Sequence, residues 1–125
     1  MKKKIAILGS TGSIGKSLMS LLKKNKNNYQ VVLLSANKNH KLLIKQAKEF
    51  NVKNIIITEG KNFNKIKKDK KIKNIKIFKD FKCFKKIFKT KIDYSMCSIM
   101  GIEGLEPTLN IIKHSKVVAI ANKES

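Results

Sequence analysis

Arginine is absent from this 125-residue chain, cysteine occurs twice, and acidic side chains number 8 against 29 lysines. Each scarcity excludes something. Cys83 and Cys97 are too few for a disulfide framework or a zinc pattern, so a reducing compartment is expected, with both thiols packing as small apolar groups. No apolar run approaches the roughly 18–20 residues of a membrane span. The opening Met1-Lys2-Lys3-Lys4 is basic, but only residues 5–8 follow before glycine. That stretch is too short for a secretory signal, and no Arg- and Ser-rich transit segment precedes it, so a cytoplasmic location is expected.

The missing arginine also governs the reading of the net charge, +21. A nucleic-acid surface normally uses arginine for its bidentate grip on phosphates and base edges. Here Lys, Asn and Ile, all with AT-rich codons, fill 29, 12 and 18 positions, whereas Gly, Ala, Pro and Arg together fill 12. Codon bias therefore accounts for much of the lysine. The charge implies loose polyanion adhesion, and with aromatics at 6% no specific nucleic-acid function is expected.

What is present is an alternation. Residues 4–8 form a short apolar run ending at glycine, a buried strand. Residues 13–24 carry Ile14, Leu18, Leu21 and Leu22 at helical spacing, and polar residues 25–28 stop that helix. Residues 30–35 make a second strand. Residues 39–50 make a helix, capped near Asn39 or His40, and residues 54–58 a third strand. Residues 61–91 differ: they hold 14 Lys and 2 Asp. Within them 75–78 fit a strand, and Phe81, Phe84 and Phe88 fit one face of a helix, read as a core stripe beneath solvated lysines. Residues 93–100 read as a strand, 105–113 as a helix with Pro107 in its first turn, and 117–121 as a fifth strand. This order predicts an α/β, Rossmann-like, doubly wound and mainly parallel sheet of about five strands with helices on both faces. The 125-residue length suits a single domain.

Between the first strand and the first helix lies Gly9-Ser10-Thr11-Gly12-Ser13-Ile14-Gly15. The first glycine permits a tight turn, the second lets a phosphate approach the backbone, and the third lets helix and strand pack closely. The helix start then points free N–H groups at an anion. The alternative is a turn without a ligand. A cofactor with a free ribose hydroxyl usually meets an acid at the end of the second strand. This chain has none before Glu49, and instead reads Ala36-Asn37-Lys38-Asn39. A cation flanked by amides fits a 2′-phosphate, favouring NADP(H) over NAD(H). Lys38 can also be read as one more surface lysine. Residues 121–125, ANKES, follow the fifth strand at the carboxyl end of the sheet, where such folds bind ligands.

Three segments in this order, GSTGSIG at 9–15, GIEGLEPTL at 101–109 and ANKES at 121–125, resemble the N-terminal NADPH-binding domain of the 1-deoxy-D-xylulose 5-phosphate reductoisomerase family. The resemblance runs through the whole chain and is weakest over residues 61–91. It implies a homodimeric enzyme of isoprenoid biosynthesis that rearranges deoxyxylulose phosphate and reduces the product with NADPH, with Mg²⁺ or Mn²⁺ polarising the substrate carbonyl. It further implies that Thr11, Gly12, Ser13 and Ile14 bind NADPH through the loop. Asn37, Lys38 and Asn39 would stand at its adenosine end, Asn122 and Glu124 would contact the cofactor, and Lys123 the substrate. The family's metal ligands and other catalytic residues lie beyond ANKES, so residues 1–125 would be the cofactor domain alone, truncated after ANKES and inactive by itself. Two positions depart from the pattern. Asn37 stands where glycine is common, a turn that asparagine at positive φ would preserve. Ser115 stands where glycine often follows the fourth helix, which would weaken a helix cap. A stand-alone NADP(H)-binding module and a basic polyanion-binding protein are the alternatives.

Overall fold

In the computed structural model, which describes residues 2–99 and 101–121, the apolar runs become the centre of a sheet. β1 (Lys3–Leu8) leads into α1 (Ser13–Lys23), β2 (Tyr29–Ala36) into α2 (His40–Glu49), and β3 (Asn54–Ile57) into α3 (Gly60–Lys67). β4 (Lys76–Phe78) is followed by a 3-10 turn, Phe81–Cys83, and the one-turn α4 (Phe84–Ile87). β5 (Ile92–Cys97), a 3-10 turn at Ile102–Gly104, α5 (Leu105–Ile112) and β6 (Ser115–Ile120) complete the order. Every pairing is parallel, in the order β4-β3-β2-β1-β5-β6. Without the short β4, this is the doubly wound arrangement in which strand order reverses at β1.

Alternation along the strands builds two cores. Ile5 and Ile7 of β1 and Ile55 and Ile57 of β3 face α1, α2 and α3, where they meet Met19, Leu22, Leu43, Ala47 and Ile66. Ala6 and Leu8 of β1 and Ile56 of β3 face the other side, with Phe84, Phe88 and Ile111. A strand buried on both faces has no polar side to show, which is why β1 and β3 read as continuous apolar runs. β2 breaks the alternation: its pairing with β1 skips Val32, and Val32 and Leu33 both face the second core. This is a bulge in the strand that leads to the cleft.

The structure corrects the expectation in four places. There are six strands among the described residues, because the segment at 76–78 joins the sheet as β4. α3 was not anticipated: among its eight residues only Ile66 is buried, too little apolar periodicity to stand out among lysines. Phe81, Phe84 and Phe88 do cluster, with ring centroids 6.2 and 6.0 Å apart, but on a 3-10 turn and a single α-turn instead of one longer helix. Ser115 opens β6, where its hydroxyl donates to the Ile111 carbonyl and bonds the Ser95 hydroxyl of β5. It ties helix end to sheet, and the C-cap of α5 is Lys113, two residues earlier. β6, the sixth strand and not a fifth, forms the sheet edge. No helix among the described residues is long and apolar enough to cross a membrane.

Candidate functional site

The three loop glycines answer to three different constraints. Gly9 follows β1 with φ +84, and a Cβ there would come within 3.0 Å of the Ser98 carbonyl group at the end of β5. Gly15, inside α1, packs so closely that a Cβ would run into the Gly9 carbonyl oxygen and sit 2.6 Å from the Ser10 Cα. Gly12 differs from both. It caps α1 with extended backbone, φ −76 and ψ 176, and a Cβ there would meet nothing nearer than the Gly9 oxygen at 3.8 Å. Two glycines are demanded by the protein's own backbone, and the middle one leaves open space.

That space is a cleft of about 430 Å³ at the carboxyl ends of β1, β2 and β5. Thr11, Gly12, Asn37, Thr58, Ser98 and Glu103 contribute to its walls. It lies at the reversal of strand order, where open sheets of this kind bind ligands. The first N–H groups of α1 have no intrahelical acceptor. The first turn of α1 has no acidic residue and Gly12 provides no side-chain cap, so no side chain of the helix's own start offsets the positive end of its dipole facing the cleft.

Hydrogen bonds hold the loop from two sides. The Gly9 N–H donates to Ser35 Oγ (2.9 Å) and the Ser10 N–H to the Ser35 carbonyl (2.9 Å). On the β5 side, Ser98 Oγ donates to the Leu8 carbonyl (2.9 Å) and lies 3.0 Å from that of Gly9. Beside it, burial raises the pKa of the Cys97 thiol, opposed by a hydrogen bond with Thr108. Burial pushes Cys83 up to about 11. Both thiols are free and buried, which suits packing and not nucleophilic work.

Of the residues singled out in the sequence, Thr11, Gly12 and Asn37 line the cleft. Ser13 and Ile14 follow Gly12 in the first turn of α1, Ser13 exposed and Ile14 half-buried. Lys38 and Asn39 lie exposed after Asn37; Asn39 caps α2, its Oδ1 accepting from the Leu42 N–H at 3.2 Å. Asn37 does not use positive φ, which among the described non-glycine residues is confined to Asn51 and Asn74. Its amide instead donates to Thr58 Oγ1 (2.9 Å), so the turn is held by a side-chain bridge and not by a left-handed backbone. Asn122, Lys123 and Glu124 lie outside the described residues.

Sequence reasoning missed Thr58, Ser98 and Glu59. Glu59 shares the rim through its N–H, which donates to the Asn37 carbonyl at 3.0 Å. Its carboxylate caps α3, accepting from the Asn62 N–H (3.1 Å) and from Asn62 Nδ2 (3.0 Å), while Asn62 Nδ2 also reaches the Lys38 carbonyl (3.0 Å). The rim therefore contains an acid, but both its oxygens are engaged. The polar end of β3 was a sequence signal for Thr58 and Glu59; Ser98 becomes a loop partner only through the pairing of β5 with β1.

A family model described as 1-deoxy-D-xylulose 5-phosphate reductoisomerase matches residues 5–125. The reductoisomerase of Pelagibacter ubique (strain HTCC1062) is 55% identical over 125 residues, covering 98% of this chain and 32% of that protein. That of Wolbachia pipientis subsp. Culex pipiens (strain wPip) is 42% identical over 124 residues, with 98% and 32% covered. The Zymomonas mobilis enzyme, solved in complex with NADPH, superposes with a TM-score of 0.86 at 33% identity, covering 98% of this chain and 32% of that one. A DOX-P reductoisomerase in complex with NADPH, fosmidomycin and magnesium gives 0.84 at 27% identity, with 98% and 31% covered. The chain thus spans 32% of the length of the curated relatives named here. With the match running through the glycine loop and the strands that frame its cleft, the chain belongs to the 1-deoxy-D-xylulose 5-phosphate reductoisomerase family.

Proposed function

We propose that residues 1–125 form the NADPH-binding domain of a 1-deoxy-D-xylulose 5-phosphate reductoisomerase, with the cofactor's pyrophosphate on the N-terminus of α1. The observation that carries the reading is the open space at Gly12, beside two glycines whose space the protein itself fills. An anion in that space meets unpaired N–H groups and the positive end of α1, and needs no side-chain cation. Thr11, Gly12, Ser13 and Ile14 hold the pyrophosphate; Asn37, Lys38 and Asn39 take the adenosine phosphate end. Asn122 and Glu124 contact the cofactor and Lys123 the substrate. The complexes of two structural neighbours with NADPH support the choice of cofactor.

Bound NADPH supplies a hydride. This chain's part is to bind and orient it. In the whole enzyme, a cytoplasmic homodimer on this reading, the hydride reduces the aldehyde formed by rearrangement of 1-deoxy-D-xylulose 5-phosphate. The magnesium of the neighbouring complexes belongs to that larger reaction. Among the described residues no three His, Cys, Asp or Glu side chains come together, and no step assigned to this chain runs through a metal. Calorimetric titration of the chain with NADPH and NADH at moderate salt tests the reading. Single-site binding with NADPH the tighter ligand is expected, and absence of binding by both cofactors overturns it.

A further inference from the structure

Gln46 sits near the middle of α2, on the side buried with Leu43 and Ala47, and is itself only 7% exposed. A primary amide in that position is costly to bury unless its groups are bonded. Both are, and to one loop residue. Gln46 Oε1 accepts from Ser10 Oγ at 2.8 Å, and Gln46 Nε2 donates to the Ser10 carbonyl at 3.0 Å. The amide orientation is fixed by chemistry, since a carbonyl can only accept and must face Nε2. Ser10 is fully buried and directly precedes the residues that line the cleft. With its N–H on the Ser35 carbonyl, all its hydrogen-bonding groups point into the protein.

We propose that Gln46 is a positioning residue for the dinucleotide: it fixes the peptide after Ser10, and through it the direction of the Thr11 N–H and the approach of the loop to the first turn of α1, where the pyrophosphate would lie. The inference rests on the reading of this chain as an NADPH-binding domain and adds a residue outside the glycine loop to it. The start of α2 beside Lys38 is held separately, by the Asn39 cap, whereas Gln46 acts on the loop. Its effect falls on the pyrophosphate, which NADPH and NADH share. Loss of the clamp therefore weakens both cofactors by the same factor, unlike any change at Lys38.

Three variants test this, each read for NADPH and NADH affinity at a temperature where circular dichroism shows it folded. Gln46→Met keeps the length and removes both hydrogen bonds; roughly tenfold weaker binding of both cofactors is expected at every pH. Gln46→Glu keeps an acceptor for the Ser10 hydroxyl but sets a second oxygen against the Ser10 carbonyl. Only the protonated acid can donate there, and burial raises its pKa. Affinity relative to wild type should therefore fall as pH rises from about 5 to about 8, and recover on reversal. Lys16, Lys23, Lys45 and Glu49 line the same groove between α1 and α2, so each point is taken as a ratio to wild type at that pH. A purely structural role would not produce this profile. Ser10→Ala, which removes the hydroxyl's bond to Gln46 Oε1 and its longer one to the Ser35 carbonyl while leaving the sequence of α2 unchanged, decides the matter should the Gln46 variants not fold; about threefold to tenfold weaker binding is expected.

Unchanged affinity in the folded variants overturns the clamp and leaves the NADPH reading standing. A change in the NADPH to NADH ratio also overturns it, because the effect would then lie at the adenosine end. Wild-type chain that binds neither cofactor overturns both.

Discussion

Gly15 packs against Gly9 so tightly that a Cβ on the helix residue would overlap the carbonyl oxygen of the turn residue. The start of α1 is thereby drawn onto the end of β1, and Gly12, between them, is left with free space around it. The two glycines predict opposite phenotypes. Gly15→Ala forces backbone apart and should destabilise the fold by about 1–3 kcal/mol, visible as a lower thermal midpoint. Gly12→Val has an allowed backbone conformation and should keep the fold, at a cost of about 1 kcal/mol or less for a poorer helix cap, while abolishing NADPH binding. Thermal melts and calorimetry of the two variants check the contrast. NADPH binding by folded Gly12→Val at wild-type affinity would mean that the open space is not the phosphate site.

On the proposed reading, Lys38 carries the preference for the phosphorylated cofactor. Its backbone is pinned by Asn62, and Glu59, the acid on the same rim, spends both oxygens on Asn62. Glu59 is therefore occupied as a helix cap and not placed to meet a ribose diol. Lys38→Glu should narrow or reverse the NADPH to NADH ratio by roughly tenfold or more, the worth of a charge-assisted phosphate contact. The titrations need about 0.15 M salt, where the field of the +21 chain is screened beyond about 8 Å. Equal affinities of the wild-type chain for the two cofactors would remove Lys38 from the site.

How far the sequence reaches can be judged residue by residue. β1, β2 and β3 were legible because burial on both faces leaves an unbroken apolar run, and α1 because its glycine loop marks its start. Asn39 announced itself as a cap by residue type. α3 was not legible, since only Ile66 among its residues is buried and lysine masks the pattern, whereas β4 was anticipated at 75–78 but left out of the strand count. Gln46 was invisible for a different reason. Its partner Ser10 lies 36 positions away, and a polar residue on a lysine-rich helix reads as surface until the fold shows what it faces. The turn at Asn37 was located correctly, but its backbone conformation was not, because the bridge to Thr58 replaces the left-handed turn.

Asp93 ties three strands at the end of the sheet opposite the cleft. Its Oδ2 accepts from the Lys4 N–H of β1 at 2.8 Å, and its Oδ1 lies 3.7 Å from Lys116 Nζ of β6. The Lys4 N–H, with the charges of Lys116 and Lys3, lowers the carboxyl pKa below its ordinary value, against a smaller cost of burial. A depressed carboxyl pKa stabilises the fold above the unfolded value, near 4, and that stabilisation is lost as pH falls through the lower folded value. Asp93→Asn should therefore melt lower than wild type at pH 7, and the two melting curves should converge as pH falls below about 4. Melts from neutral to acid pH for both proteins give the comparison, and parallel curves would show that Asp93 does not contribute to acid lability.

The central claim is that NADPH lies over the glycine loop of α1. The most direct measurement is the change in backbone amide resonances of the isotope-labelled chain on titration with NADPH. The account predicts shifts at Gly9, Thr11, Gly12, Ser13, Asn37 and Lys38, with the β4 edge less affected. Saturable shifts that cluster in the lysine-rich segment 61–91 and spare Gly12 would contradict it, and would mark the binding as adhesion of a polyanion to a basic surface.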